Sequence, residues 1–438
     1  MKYAAVLTIV LVCVAGRAAM QEGTPVGART SSQVDDTNHV RPDSGRAQEP
    51  YSFVSCGTTS ITPGLRYDAG RVKRWFYGEY YRDVWTMSLE VPVIDLGATA
   101  GGLTPLDRGG GNQTATLHLR GGDGHFYDLR SVDKDVRDTL PEKYRGTFVE
   151  RVVQDQISSL NPVGALIVPP LARAAGILHT SPTLVLIPDS PLLGSFRDEF
   201  AGMLALFERD PDENQADAAR FGFSKNIVGT EKLLEELRVD RNNHVDERAF
   251  ARARLFDMLI GDWDRHEGQW RWAEFETERG TRFVPVPTDR DAAFSKFDGL
   301  LLRLGRLSGK MMLRRMTDFD DDIPDVFGLN WQGFRLDRRL TTSLTRDDWL
   351  AIADSLQVAL PDAVIDRAVK TWPQPVYDLI GPITAHNLKS RLRLLPTVAA
   401  RYYDVLTDPD YIVGDKDGAH FNREYKRFIG EPPMHDVE

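Results

Sequence analysis

The segment 255–291 constrains the fold more than any other part of the sequence. An apolar stretch typical of a core helix ends at Gly261, and a polar loop that carries Asp264 follows it. Residues 270–287 then alternate around a central turn, which predicts a β-hairpin. Because a hairpin returns the chain to its starting point, we expect Asp264 before it and Asp289 after it to lie close together.

Carboxylates that meet in this way, with an amide nearby, form an oxygen site suited to Mg²⁺ or Mn²⁺ rather than zinc. Phosphoryl transfer from ATP needs the same order of parts. One aspartate orients or deprotonates the acceptor, an amide or carboxylate a few residues later holds a metal, and an aspartate beyond the hairpin holds the metal that bridges the phosphates. Asp264, Gln269 and Asp289 are the candidates for these three roles, in that order.

The residues beside these candidates have weaker signals. Arg265 and His266 belong to the same predicted catalytic loop, and we expect His266 to shape that loop through local hydrogen bonds. Asp262 is expected to cap or to pair with Arg265. Arg290 is expected either to contact phosphate or to pair with a carboxylate.

A second predicted hairpin, with strands over 114–120 and 125–133, follows a glycine-rich run. Backbone N–H groups in such a run can approach phosphates, and the candidates are Gly109, Gly110, Gly111 and Gln113.

The phosphate-anchoring cation is expected at the end of this hairpin. Lys134 is the first choice, and Arg130, on the same strand face by period two, is the second. The partner of this cation on the following helix is either Glu150 or Asp155, and the sequence does not choose between them.

The rest of the pattern predicts an α+β chain with a β-rich first half and a helical second half. A helix is predicted over 141–160, with an apolar stripe that includes Phe148, and extended runs over 165–168 and 183–188. Six helices are predicted afterwards, over 195–207, 230–237, 246–259, 347–356, 361–371 and 388–407. A cleft between the two halves is where a ligand site is expected.

The quoted residues resemble a known superfamily. Asp264-Arg265-His266 with Gln269, followed by 289–294 (DRDAAF), is similar to the catalytic and metal loops of atypical protein-kinase-like proteins. These include HipA-like bacterial kinases, spore-coat CotH kinases, secretory-pathway casein kinases and, more distantly, lipid kinases. The resemblance implies a two-lobed kinase-like fold, ATP with Mg²⁺ or Mn²⁺, a catalytic Asp264, and Asp289 and Asp291 beside the metal. Gln269 stands where many such kinases have Asn.

The similarity extends from about Tyr51 onward to exported bacterial proteins of this superfamily, some of which are joined to outer-membrane domains. It is carried there by 109–114, 130–135 and 414–417. It implies a β-rich N-lobe over 51–190, a helical C-lobe over 191–407 and a tail over 408–438.

The N-terminus predicts export. Lys2 and the apolar run 4–14, followed by small residues, are typical of a signal peptide over 1–19, and 20–50 has the composition of a flexible leader. A periplasmic or extracellular protein without a membrane span in its mature chain is therefore expected. The net charge of −10 argues against a nucleic-acid partner. The expected partners are a nucleotide, an unknown protein or small-molecule acceptor, and outer-membrane proteins.

Two other functions compete with a kinase. One is a catalytically silent pseudokinase that acts as a binding or assembly module of the cell envelope. The other is a carbohydrate hydrolase that uses Asp262 or Asp264, since carboxylates and tryptophans also build sugar sites. Trp270 and Trp272 share one strand face, however, which predicts a role in the core.

Overall fold

The computed structural model describes residues 52–110, 113–306 and 311–408. The predicted signal peptide and leader, Gly111 and the predicted tail after Asp408 lie outside this part of the chain. Within it, a β-rich N-terminal part precedes a mainly helical C-terminal part, which confirms the predicted α+β class. None of the helices in these ranges is long and apolar enough to cross a membrane.

Seven strands form the N-terminal sheet: β1 (Ser55–Ile61), β2 (Leu89–Ile94), β3 (Leu103–Gly109), β4 (Thr116–Gly121), β5 (Phe126–Ser131), β6 (Thr183–Leu186) and β7 (Leu204–Arg209). Their order across the sheet is β1-β2-β6-β7-β5-β4-β3. The predicted hairpin is confirmed as β4 and β5, in which Thr116 lies opposite Arg130. Gly109, at the end of β3, lies on the other side of Thr116. The glycine-rich run and the candidate cation Arg130 therefore flank one strand.

A smaller sheet contains β8 (Ile227–Gly229), β9 (His244–Val245), β10 (Trp270–Thr277) and β11 (Gly280–Pro287), in the order β8-β10-β11-β9. The hairpin β10-β11 pairs every residue from Trp270 opposite Pro287 to Thr277 opposite Gly280, as the sequence predicts. Trp270 and Trp272 are fully buried and contact the ring of Phe250. Their core role is confirmed, and neither ring is open to stack on a sugar.

Fourteen α-helices lie in the described ranges. They are α1 (Arg71–Tyr77), α2 (Arg82–Thr86), α3 (Phe148–Asp155), α4 (Val168–Ala174), α5 (Arg197–Phe200), α6 (Thr230–Val239), α7 (Glu247–Ile260), α8 (Leu300–Arg306), α9 (Met311–Arg314), α10 (Val326–Asn330), α11 (Phe334–Leu340), α12 (Arg346–Ala359), α13 (Asp362–Val369) and α14 (Gln374–Thr407).

Helix α7 is the central element of the C-terminal part and leads directly to the candidate catalytic loop. The side chain of Asp246 accepts a hydrogen bond from the backbone N–H of Ala249 and caps the helix. The helix ends at Gly261, whose φ of 68° lies in the left-handed region that favours glycine. Most of its residues from Phe250 onward are buried, so its position is fixed by packing on all sides.

Four predicted elements are wrong in extent or type, one of which is the helix predicted over 388–407, since that helix already begins at Gln374. The helix predicted over 141–160 is an α-helix only over Phe148–Asp155, and Phe148 is 55% exposed instead of part of a core stripe. The run 165–168 is a 3₁₀ turn that leads into α4, not an extended segment. The helix predicted over 195–207 ends at Phe200, and the chain then enters strand β7. The N-terminal sheet therefore takes in residues beyond 190, the predicted end of the N-lobe.

The start of α12 is fixed by a capping box. The Thr345 hydroxyl accepts from the backbone N–H of Asp348, and the Asp348 carboxylate accepts from the N–H of Thr345. We expect Thr345→Ala to lower the free energy of unfolding by about 1 kcal/mol, since it leaves an N-terminal N–H of the helix without its partner. Urea denaturation checks this, with Thr342→Ala, an exposed position before the helix, as the control. Equal stability of the two variants would contradict the prediction.

Candidate functional site

The two loops at the base of the β10-β11 hairpin are bound to each other. The backbone N–H of Thr288 donates to the carbonyl of Gln269 at 3.0 Å. The buried guanidinium of Arg265 donates to the same carbonyl at 3.0 Å and to the carbonyl of Thr288 at 2.6 Å. As a result, Asp264 and Asp289 line one cleft of about 310 Å³ between the two parts of the protein. The structure thus brings together the two aspartates that the hairpin argument pairs.

Acidic and basic side chains meet in this cleft. The Asp289 carboxylate forms an ion pair with Arg130 on β5, and Lys134 lies 2.5 Å from the carboxylate of Asp291. Burial alone would raise the pKa of Asp289, but the charges of Arg130 and Lys134 outweigh it and hold that pKa well below its usual range. Burial and the charge of Asp289 raise the pKa of Asp291. Asp289 is therefore the more acidic member of this aspartate pair.

One side-chain atom of Gln269, the amide oxygen, is buried in this region without a partner. Its side chain is 5% exposed and lines the cleft, and its Nε2 lies 3.5 Å from Oδ2 of Asp289. Its Oε1 is buried without a hydrogen-bond partner. A rotation of the amide by 180° would place Oε1 beside the Asp289 carboxylate, near the separation of about 3 Å between neighbouring oxygens around Mg²⁺. The donor set of an amide oxygen and carboxylates therefore fits Mg²⁺ or Mn²⁺.

Asp264 is partly exposed and lines the same cleft. The Nε2 of Gln332 donates a hydrogen bond to its Oδ1, which fixes the orientation of the carboxylate. The nearby Arg315 is buried with its guanidinium over the ring of Trp263 and has no hydrogen-bond partner. Burial lowers the pKa of Arg315 to about 10, against the opposing effect of Asp264. A carboxylate held in this way can accept a proton from a hydroxyl group in the cleft.

His266 also lines the cleft and has the local role expected of it. Its Nδ1 accepts a hydrogen bond from the backbone N–H of Gly268 at 3.1 Å and caps the 3₁₀ turn that contains Gln269. The histidine therefore shapes the loop that carries Asp264 and Gln269.

The glycine-rich run forms the rim of the cleft on the N-terminal side. Gly110 and Gln113 line the cleft, and Gly111 lies outside the described residues. Gly110 has a φ of 96°, and a Cβ there would lie 2.1 Å from the carbonyl oxygen of Thr114. A Cβ on Gly109 would collide with the ring of His118. Gly110 therefore requires glycine, because its φ and the adjacent backbone exclude a side chain, whereas a Cβ at Gly109 would meet only the movable side chain of His118.

The expected helix partner of the cation is absent from α3. Glu150 accepts from the backbone N–H of Gly146 and lies near Arg137. Asp155 receives two hydrogen bonds from the buried Arg82 and one ion pair from Lys73. Neither carboxylate pairs with Lys134 or Arg130 in the described part of the chain, because the basic side chains face the metal loop instead. The expectation that one of them anchors the cation is wrong.

A buried carboxylate that the sequence analysis did not single out joins the two loops. Asp257 on α7 is fully buried and lies 2.8 Å from Arg254, 3.2 Å from Arg265 and 2.9 Å from Arg290. Arg265, expected among the catalytic residues, and Arg290 therefore pair with a carboxylate inside the fold, and Arg265 does not line the cleft. We interpret all three arginines as positioning residues. The sequence feature that could have indicated this role is the presence of two charged residues, Arg254 and Asp257, inside an otherwise apolar helix.

The far end of the cleft is polar, and none of its residues was a candidate from sequence. His118 on β4 and Asp128 on β5 are hydrogen-bonded at 2.6 Å, and Asp210 follows β7. Ligand atoms of these three residues lie within 4.8 Å of one another, a spacing that one cation could bridge. The His118–Asp128 bond already occupies two of the groups, and we assign no metal there. The alternation of side chains along β4 and β5 is the sequence feature that could have indicated that His118 and Asp128 lie on the same face of the sheet.

Taken together, the fold and the site define a two-part α+β protein with acidic and basic side chains in the cleft between its parts. No family model matches the chain, and no curated protein matches it. Among solved structures, the chain aligns with the crystal structure of a Helicobacter pylori proinflammatory kinase, CtkA, at 12% sequence identity and a TM-score of 0.31. The alignment covers 68% of this chain and 95% of that one.

Proposed function

We propose that the protein is a kinase-like phosphotransferase that uses ATP with Mg²⁺ or Mn²⁺ to phosphorylate a protein or small-molecule acceptor. The observation that carries the proposal is the convergence of Asp264, Gln269 and Asp289 in one cleft with two basic side chains. On the sequence motifs alone, we place it among the HipA-like, CotH-like and secretory-pathway casein-kinase-like proteins.

Each residue has a defined part in this proposal. Gln269 and Asp289, with Asp291 beside them, would hold the cation, which neutralises charge on the phosphate oxygens. Arg130 and Lys134 would move from the carboxylates to the phosphates, which are stronger partners for them once the carboxylates hold a metal. The Asp264 carboxylate would accept the proton of the acceptor hydroxyl. The acceptor oxygen would then bond to the terminal phosphorus of ATP. The bond between this phosphorus and the bridging oxygen would break at the same time, and ADP would leave.

The proposal predicts nucleotide binding that depends on Gln269. We expect Gln269→Met to weaken Mn²⁺-dependent ATP binding about tenfold or more, because the variant keeps the size of the side chain but removes a metal-binding oxygen. Isothermal titration of ATP with Mn²⁺, and again with EDTA, measures this. The fold should survive, since Oε1 has no partner to lose.

The matched control is Gln374→Met, an exposed position at the start of α14, which should bind as the wild type does. ATP binding that is equal with Mn²⁺ and with EDTA, or equal in the two variants, would contradict the metal assignment. No ATP binding by the wild type under any condition would refute the proposed function.

The silent pseudokinase is kept as a second candidate because of one observation. Arg130 and Lys134 pair with Asp289 and Asp291, so these four side chains neutralise one another's charges. A binding module of the cell envelope would need only a stable fold and no catalysis. The scarcity of ATP outside the cytoplasm also favours this candidate. Transfer assays on Asp264 variants separate the two candidates.

We further propose that the protein acts after export, in the periplasm or outside the cell. The support is the N-terminal sequence, in which a basic residue precedes an apolar run and small residues. Association with outer-membrane proteins is proposed on the sequence resemblance alone. Fractionation of cells that express the full chain, with mass spectrometry of the mature N-terminus, tests the proposed cleavage near residue 19.

A further inference from the structure

Arg130 differs from the other basic side chain of the cleft in having two separate acidic partners. Its Nη2 forms the ion pair with Asp289, and its Nη1 lies 3.5 Å from Oε1 of Glu208 on β7. Lys134 forms an ion pair with Asp291 alone among the residues that the structure describes. If the two aspartates turn toward a metal ion, Arg130 therefore keeps an acidic partner and Lys134 does not.

Glu208 has a fixed position inside the N-terminal sheet. It lies opposite Asp128 in the pairing of β7 with β5, so its side chain shares the cleft face of the sheet with Asp128 and Arg130. The residue is 6% exposed. Because β5 and β6 flank β7, the strand that carries Glu208 is not at an edge of the sheet. Glu208 can therefore hold a long, flexible neighbour in one orientation.

We propose that Arg130 is the cation that anchors the phosphates, and that Glu208 positions it for this task. The inference rests on the proposed function. The nitrogens of a guanidinium can bind two partners at once, so Nη1 can stay with Glu208 while Nη2 turns from Asp289 to a phosphate oxygen. A side chain that is already held loses less conformational freedom when the phosphates bind. Glu208 thus has the part that was expected of Glu150 or Asp155.

The contact between Glu208 and Arg130 does not depend on ionisation of the acid. Burial raises the pKa of Glu208 to about 7, and the charge of Arg130 opposes this rise. A neutral carboxyl group still has an oxygen that attracts a guanidinium, and so does the amide of glutamine. Glu208→Gln should therefore keep Arg130 in place, whereas Glu208→Met, which has nearly the same length but no such oxygen, should release it.

The experiment measures the affinity of ATP by isothermal titration in the presence of Mn²⁺. We expect Glu208→Met to bind ATP about tenfold more weakly than the wild type, and Glu208→Gln to stay within about twofold. Arg130→Met should weaken binding more than Lys134→Met does. Glu213→Met, at an exposed position in the segment after β7, is the control and should bind as the wild type does.

Combined substitutions separate a positioning role from a purely structural one. If Glu208 acts through Arg130, Glu208→Met should cause no further loss of affinity in a chain that already carries Arg130→Met. In a chain that carries Lys134→Met, it should cause the same loss as in the wild type. Damage to the fold would weaken binding in both backgrounds, and urea denaturation of each variant detects it. If Glu208→Met does not fold, Glu208→Asp replaces it, because its carboxylate ends one methylene short of Arg130.

Three results would overturn the inference and leave the proposed function standing. Lys134→Met that weakens ATP binding more than Arg130→Met would assign the anchoring role to Lys134. Wild-type affinity in Glu208→Met would show that Glu208 has no part in binding. An equal loss with and without Arg130 would show that Glu208 does not act through it. Failure of the wild type to bind ATP would refute the proposed function and this inference together.

Discussion

Asp264→Asn should lose phosphate transfer while it keeps nucleotide binding. The amide has nearly the shape of the carboxylate and can still accept the hydrogen bond from Gln332, so the cleft should not change. It cannot take a proton from the acceptor, and loss of a general base typically lowers the rate by about 10² to 10⁴. Release of phosphate from ATP labelled at its terminal phosphate, to water or to the protein itself, measures the transfer without knowledge of the acceptor.

The outcome of this experiment separates the two candidate functions. Glu276→Gln, on the exposed part of β10, is the matched control and should transfer phosphate at the wild-type rate. Transfer that is unchanged in Asp264→Asn would refute the catalytic role of Asp264. Tight Mn²⁺-dependent ATP binding with no transfer by the wild type would instead support the silent binding module.

The sequence predicted the centre of the site because the signals there are local. A glycine that stops an apolar helix and an alternating segment around a turn both act over a few residues. Once they are recognised, the hairpin alone places Asp264 near Asp289, since strand pairing from Trp270 to Pro287 leaves no other route for the chain. The core role of Trp270 followed from the same alternation.

The errors lie where long-range pairing decides the structure. Residues 204–209 have no strict alternation, and their apolar spacing after 195 also suits a helix. They form β7 because β5 and β6 pair with them, one along each edge, and so provide hydrogen-bond partners for the backbone. The polar end of the cleft was missed for the same reason, since Asp210 reaches it only through the position of β7.

The partner of the phosphate-anchoring cation was misjudged for a different physical reason. Charge pairs across a cleft depend on how the two parts of the protein are oriented toward each other. A sequence contains no direct signal for this orientation. Arg130 and Lys134 pair with Asp289 and Asp291, which lie more than a hundred residues away. Glu150 and Asp155 were chosen from helix position alone, and the buried Arg82 already binds Asp155.

Substitution of Asp257 is expected to have the largest effect on stability. The carboxylate lies among three guanidinium groups, from Arg254, Arg265 and Arg290, and both it and Arg254 are fully buried. Removal of one member of a buried ion pair typically costs about 3–5 kcal/mol, because the remaining charges are left in a medium that solvates them poorly. We expect Asp257→Asn to lower the free energy of unfolding by about that amount, measured by urea denaturation.

The same substitution should also weaken nucleotide binding, although Asp257 does not line the cleft. Arg265 fixes the base of the hairpin through the carbonyls of Gln269 and Thr288, and Arg290 directly follows Asp289. When these two arginines lose their shared carboxylate, the loops that carry the metal-binding oxygens lose their common support. Asp354→Asn, on the exposed face of α12, is the control and should stay within about 0.5 kcal/mol of the wild type. A folded Asp257→Asn with wild-type stability would show that the buried carboxylate does not hold the two loops together, and the geometry of the cleft would then need another explanation.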